Sequence, residues 1–291
     1  MIGEIYQDYS KWMVKKFKLM RLRNHLNKRE ASKYKNFNRE MPKIIQTQTI
    51  ASCNFNCSWC PANKHKDLYN NGMGKLMDEK LFKKIVRDIP KDFSGDFLPF
   101  LMNEPLLDKR LPELIRFARK NLPEAHIRIN TNGSLLTRQN IIEFIDAGAN
   151  RIAISDYTQK KTIKKRILGL ELAEDYSKKL KFWWDKNPQY EKTGINIHNR
   201  AGNVPSFPIP ETPLRLFCNK PFIELPIGWD GSVVLCCQDW KFKIIMGDAK
   251  KENILKIWKN SKYDEIRKNL MNFNRDMPLC RYCDFCGFGI K

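Results

Sequence analysis

Between residues 43 and 227, short apolar runs alternate with segments of helical period, and this alternation constrains the fold more than any other feature of the chain. KIIQTQTI (43–50), DFLPFLM (96–102), AHIRIN (125–130), RIAIS (151–155), GINIH (194–198) and PFIELPI (221–227) read as strands. DEKLFKKIVRDI (78–89), LPELIRFARKNL (111–122) and TRQNIIEFIDAGA (137–149) read as helices, the last entered at Thr137 and stopped near Gly148. A lysine-rich helical stretch follows RIAIS. Strands separated by helices of this length form βαβ units and a parallel sheet, and six such strands close most of a barrel. In parallel barrels chemistry concentrates at the carboxyl ends of the strands, here the loops after residues 50, 102, 130, 155 and 198.

The first of these loops holds CNFNCSWC (53–60), with Cys53, Cys57 and Cys60 spaced C-x3-C-x2-C. The next cysteine is Cys218. Three thiolates in a tight loop can hold three irons of a cubane and leave the fourth iron open to a substrate or cofactor. Zinc is the rival. Structural zinc calls for four ligands and catalytic zinc usually includes histidine. His65 lies five positions past Cys60, while His25, His126 and His198 form no ligand pair.

Composition sets the surroundings. With 42% apolar and 29% charged residues, no run long enough to span a membrane and no apolar leader core, the 291-residue chain is expected in the cytoplasm. Thiols stay reduced there, so nine cysteines read as metal ligands or redox groups rather than disulfides. The net charge of +21 suits an anionic partner, although lysine is abundant throughout. It is densest over residues 1–43, with twelve Lys or Arg against four acids. Tyr9, Trp12, Met13, Phe17 and Met20 recur there at helical spacing, describing a basic amphipathic helix. Docking on the body is its first reading; a membrane surface, an RNA or a partner are the others.

C-x3-C-x2-C after the first strand of a partial barrel, with Trp59 before the third thiol, resembles the radical S-adenosylmethionine (SAM) superfamily. MNEP (102–105) is similar to that family's Gly-Glu-Pro segment, which binds the methionine amino group, with Asn103 in place of glycine. INTNGSLLT (129–137) is similar to its TNG segment near the ribose, and Ser155 ends the fourth strand where a polar residue often faces the methionyl carboxylate. The resemblance implies a TIM-like partial (βα)6 barrel over 44–205, with Trp59, Asn103, Glu104, Asn130, Asn132 and Ser155 around SAM and Cys53, Cys57 and Cys60 on a 4Fe-4S cluster.

Six cysteines fall in the last quarter: Cys218, Cys236, Cys237, Cys280, Cys283 and Cys286. Asp230-Gly231 reads as a hairpin turn and KENILKIWKNSKYDEIRKNL (251–270) as a helix. This order resembles the SPASM and Twitch auxiliary-cluster extensions, with the shorter Twitch form the better fit to six cysteines. The resemblance implies a β-hairpin plus helix domain over 206–291 holding a second 4Fe-4S cluster on Cys218, Cys236, Cys280 and Cys283. If Cys236 faces that cluster, alternation along a strand turns Cys237 away, as a buried hydrophobe or as a hydrogen-atom donor to a substrate radical. Cys286 is a spare thiol or a substitute for Cys283.

The chemistry implied is one-electron cleavage of SAM, fed by a flavodoxin- or ferredoxin-type reductant, to a 5′-deoxyadenosyl radical that removes a substrate hydrogen. A fully ligated second cluster has no vacancy for substrate and suits an electron acceptor. The product is then that of two-electron oxidation, as from a secondary alcohol to a ketone. The Cys218 to Cys236 spacing and terminal C-x2-C are similar to those of the 2-deoxy-scyllo-inosamine dehydrogenase group, and NRAGN (199–203) offers Arg200 to a substrate hydroxyl. The expected substrate is a sugar or cyclitol. Alternatives are a peptide maturase, an epimerase in which Cys237 returns a hydrogen atom, and a non-catalytic iron-sulfur carrier. No RNA-binding motif supports a nucleic-acid substrate.

Overall fold

The computed structural model describes residues 25–37, 39–57, 60–61, 74–158, 161–182, 199–204 and 209–285. GINIH, Trp59, His65, Cys286 and the arm residues Tyr9 to Met20 lie outside the described residues.

The parallel strands form because their alternate residues are apolar and their outer face is covered by amphipathic helices. Strand β1 (Ile44–Thr47) pairs in parallel with β4 (Asp96–Leu98), which pairs with β5 (His126–Thr131), then β6 (Arg151–Ile154) and β7 (Leu180–Phe182). Two short strands, β2 (Ile50–Ala51) and β3 (Lys75–Leu76), pair antiparallel beside this sheet. Helix α1 (Glu79–Asp88) starts where the Asp78 side chain accepts from the Leu81 N–H, and it buries Leu81, Phe82, Ile85 and Val86. Helix α2 (Leu111–Asn121) and helix α3 (Arg138–Asp146) follow β4 and β5, so every helix expected in this stretch is present. A capping box at Thr137, reciprocated by Asn140, fixes the start of α3.

Several elements depart from the sequence reading: the strand expected over 96–102 ends at Leu98, and the one expected over 221–227 starts only at Glu224, after a helical turn over Lys220–Ile223. Among the described residues the lysine-rich stretch after β6 is helical over α4 (Thr162–Leu168) and α5 (Glu174–Ser177) and then enters strand β7, too short and too charged to announce itself. The strand expected over 43–50 breaks after Thr47. The helix expected over 251–270 breaks at Asn260, whose side chain accepts from the Tyr263 N–H and restarts the chain as a second helix.

After a short helix α6 (Lys220–Ile223), strand β8 (Glu224–Ile227) does two things. It pairs in parallel with β1, with Ile45 opposite Leu225, and it turns through Asp230-Gly231 into β9 (Ser232–Val234). Gly231, at φ +87°, takes a conformation that L side chains rarely adopt. Strand β10 (Ile245–Asp248) completes an eight-stranded sheet in the order β10-β9-β8-β1-β4-β5-β6-β7. The C-terminal hairpin therefore grows out of the barrel sheet itself. Helices α7 (Ile254–Trp258) and α8 (Ser261–Met271) back it.

Residues 25–32 are helical and dock on this C-terminal part. Tyr34 and Phe37 pack on Phe222, with ring centroids 5.4 and 5.0 Å apart, and the Phe217 N–H donates to Asn27 Oδ1 at 2.8 Å. Among the described residues no helix is long and apolar enough to cross a membrane.

Candidate active site and thiol centres

The loop after β2 carries Cys53, Cys57 and Cys60 to one wall of a cavity of about 240 Å³. Pairing of β2 with β3 ties down both ends of this loop. Its interior is tied too: Glu104 N–H donates to Ser52 O at 2.8 Å, Asn132 Nδ2 donates to Asn54 Oδ1 at 2.9 Å, and Asn54 Nδ2 donates to Ser134 Oγ at 2.9 Å. Three separate strand-end loops thus meet at the thiols. Burial raises Cys57 to about 12, with Cys60 and Cys53 adding to it, and burial raises Cys53 to about 11. Crowded thiols of this kind resist ionisation until a cationic centre accepts the charge, which is the behaviour of a metal-ligand set.

Glu104, 2% exposed, crosses the gap between the loops after β4 and β5. It accepts from Thr131 Oγ1 at 2.6 Å, from Asn132 N–H at 2.7 Å and from Leu106 N–H at 3.2 Å. Burial raises its carboxyl to about 6 against the pull of these hydrogen bonds. Glu104 is therefore a brace as well as a candidate ligand contact. Gly133 allows the loop its shape: at φ +78°, an added Cβ would stand 2.7 Å from Ile154 Cγ2. Asn103 turns Oδ1 back to the Leu101 N–H at 3.1 Å and leaves Nδ2 buried without a partner. Asn130 and Ser155 also line the cavity, and Asn130 Oδ1 is buried without a partner.

The opposite wall comes from the C-terminal part. Arg200, Cys237 and Trp240 line the same cavity as the three thiols. Arg200 sits in a turn in which it and Ala201 have φ of 51° and 55°. That turn is held from outside: Asn199 Nδ2 donates to Tyr282 O at 2.7 Å, Asn199 N–H donates to Asp284 Oδ2 at 2.9 Å, and Asn203 Nδ2 donates to Gln238 O at 3.2 Å. Gln46, Tyr157, Phe55, Phe100 and Trp240 also line the cavity and escaped sequence reasoning. Only Gln46 carried a signal, a polar side chain at an alternate position of an otherwise apolar strand; its Oε1 is buried without a partner. Burial raises the Tyr157 phenol, which hydrogen-bonds Ser155 and lies near Arg200.

A second, smaller cavity, of about 30 Å³, is lined by Cys218, Cys236, Cys280 and Cys283 together with Lys220 and Arg275. Three separate segments bring these thiols together, with Cys280 and Cys283 on one short turn. Burial pushes all four up, Cys283 to about 11, and neighbouring thiols push further: Cys280 feels Cys218 and Cys283, and Cys236 feels Cys237 and Cys280. The donor set again suits a charged cluster. The two cavities share a wall, because Cys236 lines one and Cys237 the other, and Ala201 lines one and Arg200 the other. Burial raises Cys237 to about 12, and Glu224, a hydrogen-bond partner of its thiol, adds to the rise.

Residues 47–168 match the Radical SAM superfamily model, and residues 218–284 match the SPASM model, an iron-sulfur cluster-binding domain. The S-adenosyl-L-methionine-dependent 2-deoxy-scyllo-inosamine dehydrogenase of Niallia circulans is 25% identical over 83% of this chain and 92% of its own length. The AdoMet-dependent heme synthase of Oleidesulfovibrio alaskensis is 28% identical over 39% of this chain and 27% of its own. Among solved structures, BtrN in complex with AdoMet and 2-DOIA superposes with a TM-score of 0.71 at 24% identity, covering 84% of this chain and 93% of that one. The enzyme anSMEcpe with bound AdoMet does so at 0.52 and 13% identity, covering 83% and 90%.

Proposed function

We infer, for a chain that belongs to the radical SAM superfamily and carries a SPASM domain behind its barrel, that it oxidises a secondary alcohol of a small polyhydroxylated substrate, a sugar or cyclitol, to a ketone. The observation that carries this reading is the shared wall. A substrate against Arg200 and Cys237 stands one residue along the chain from the lining of the four-thiol cavity, so an electron leaving it has a short path to a second centre. The Niallia circulans relative, named as a 2-deoxy-scyllo-inosamine dehydrogenase, supports the substrate class.

Cys53, Cys57 and Cys60 would hold a 4Fe-4S cluster with one iron open to SAM, and that cluster would supply the one-electron chemistry by which hydrogen is removed from the substrate. The protein's part is to hold and orient. Glu104 receives the methionine ammonium, Asn103 and Ser155 flank the methionyl group, and Asn130 and Asn132 contact the nucleoside. Arg200 offers its buried, unpartnered Nε to the substrate hydroxyl and favours loss of its proton. Gln46 Oε1 accepts from a second hydroxyl. Cys218, Cys236, Cys280 and Cys283 hold the accepting cluster. The external reductant is of flavodoxin or ferredoxin type, and the setting is a reducing compartment, the cytoplasm. Barrel (44–205) and C-terminal part (206–291) act as one unit across the continuous sheet, with Asn27, Tyr34 and Phe37 of the 1–43 arm packed on the C-terminal part.

One observation favours a second reading. Cys237 is a protonated thiol on the cavity wall, which suits hydrogen return to a substrate radical and hence epimerisation, of a sugar or a peptide. Anaerobic reconstitution followed by turnover with SAM, dithionite and a panel of cyclitols and aminosugars in deuterated water separates the two. A product two mass units lighter that forms a hydrazone supports oxidation; a product with one deuterium gained and no carbonyl overturns it.

A further inference from the structure

The four-thiol cavity is lined by two cations that the reaction as described does not use, Arg275, which is buried, and Lys220, which is half-buried. Arg275 is 2% exposed, and all three of its hydrogen-bond acceptors are neutral backbone carbonyls: Nε donates to Leu216 O at 2.8 Å, and its terminal nitrogens donate to Phe217 O at 2.8 Å and Phe285 O at 2.6 Å. Lys220, beside it on the cavity wall, pairs with Glu224, which lies toward Cys237 instead. Burying a guanidinium against neutral groups alone is costly, so an anionic occupant of the cavity is expected to repay it.

We propose that Arg275 and Lys220 bias the four-thiol centre toward accepting an electron, with Glu224 as the opposing charge. The proposal rests on reading this cavity as a cluster site. A cluster held by four thiolates is net anionic, and reduction adds one further negative charge. Fixed cations in its wall favour the reduced form, because net charge, hydrogen bonding and burial set such potentials. The Lys220–Glu224 pair adds no net charge, but its positive end lines the cavity and its negative end does not. It acts as an oriented dipole.

The test is an anaerobic, EPR-monitored redox titration of the reconstituted full chain, with iron counted first. Arg275→Gln and Lys220→Met should each shift the reduction equilibrium of the second cluster at least tenfold toward the oxidised form, about 59 mV for a one-electron couple. Glu224→Gln should shift it the opposite way, and Arg275→Lys should restore most of the wild-type value. A purely structural staple between loops predicts no such change of sign. Should Arg275→Gln fail to fold, the opposed shifts of Lys220→Met and Glu224→Gln still decide. About eight irons with unchanged potentials, or shifts of one sign in all variants, would overturn the proposal alone; about four irons in wild type would remove the second cluster and the functional reading with it.

Discussion

The two thiol centres are built in opposite ways. The mouth centre takes all three thiols from residues 53–60, on a loop that lines a cavity of about 240 Å³ whose largely apolar walls carry a few polar side chains. The buried centre takes its four thiols from positions 218, 236, 280 and 283, around a cavity of about 30 Å³. A local set needs only its loop to be braced, here by Glu104 and Asn132. A distributed set exists only while the hairpin, the 199–204 turn, helix α8 and the segment around Asn27 are all packed. The difference separates a centre meant to meet small molecules from one meant to be sealed from them, and it predicts that the two fail independently.

The largest effects come from removing one thiol from each. Cys57→Ala should reduce 5′-deoxyadenosine to background while about four irons remain on the other centre. Cys280→Ala should also keep about four irons, yet go on cleaving SAM without forming ketone. Iron content and product chromatography check both, and loss of cleavage in Cys280→Ala would break the separation.

Glu104 sharpens the contrast from the mouth side. Burial raises its carboxyl from 4.5 to about 6, so without ligand it contributes stability below pH 4.5 that is lost as pH rises through 6, about 2 kcal/mol in all. An ammonium at the site reverses this by pairing with the charged form. SAM affinity should therefore weaken up to tenfold per unit as pH falls below 6. Glu104→Gln should bind weakly at every pH, and equilibrium dialysis on reconstituted protein distinguishes a flat profile from a sloping one.

The same contrast decides what was legible in the sequence. The mouth thiols could be read because they are neighbours in the chain, while Glu104, Asn132 and Ser155, each placed after a strand, came through resemblance. The membership of Cys218, Cys236, Cys280 and Cys283 came through resemblance, since nothing local marks cysteines scattered between positions 218 and 283 as one set. Tyr157 and Trp240 read as ordinary loop aromatics until the sheet curls them onto one cavity. Strand β8 was legible as a strand, but its parallel register on β1 is fixed by packing far along the chain. Arg267 gave no signal either. It looks like a solvated helix residue, yet it is buried between Trp258 and Tyr263, with ring centroids 4.1 and 4.7 Å from the guanidinium.

A smaller effect should come from the docked segment. Asn27→Ala leaves the buried Phe217 N–H without its acceptor, next to Cys218, at a cost of roughly 1–3 kcal/mol. The buried centre should lose iron to a chelator faster than in wild type while SAM cleavage stays unchanged. Equal loss from both centres would mean that the segment supports the whole fold rather than one end of it.

The smallest effects form a matched pair. Thr137 caps helix α3 of the barrel, accepting from the Asn140 N–H at 3.2 Å, and Asn260 caps helix α8 behind the hairpin, accepting from the Tyr263 N–H at 3.0 Å. Each Ala substitution removes one cap at about 1 kcal/mol, so global stability should fall by similar amounts. Their local consequences should differ. Asn260 also donates to Met246 O at 2.8 Å, tying α8 to β10, so its loss loosens the layer that closes the four-thiol cavity. Chelator-accessible iron should rise in Asn260→Ala and not in Thr137→Ala. An equal rise would show that a small loss anywhere opens the buried centre, and the distributed set would then report global stability rather than the packing of its own wall.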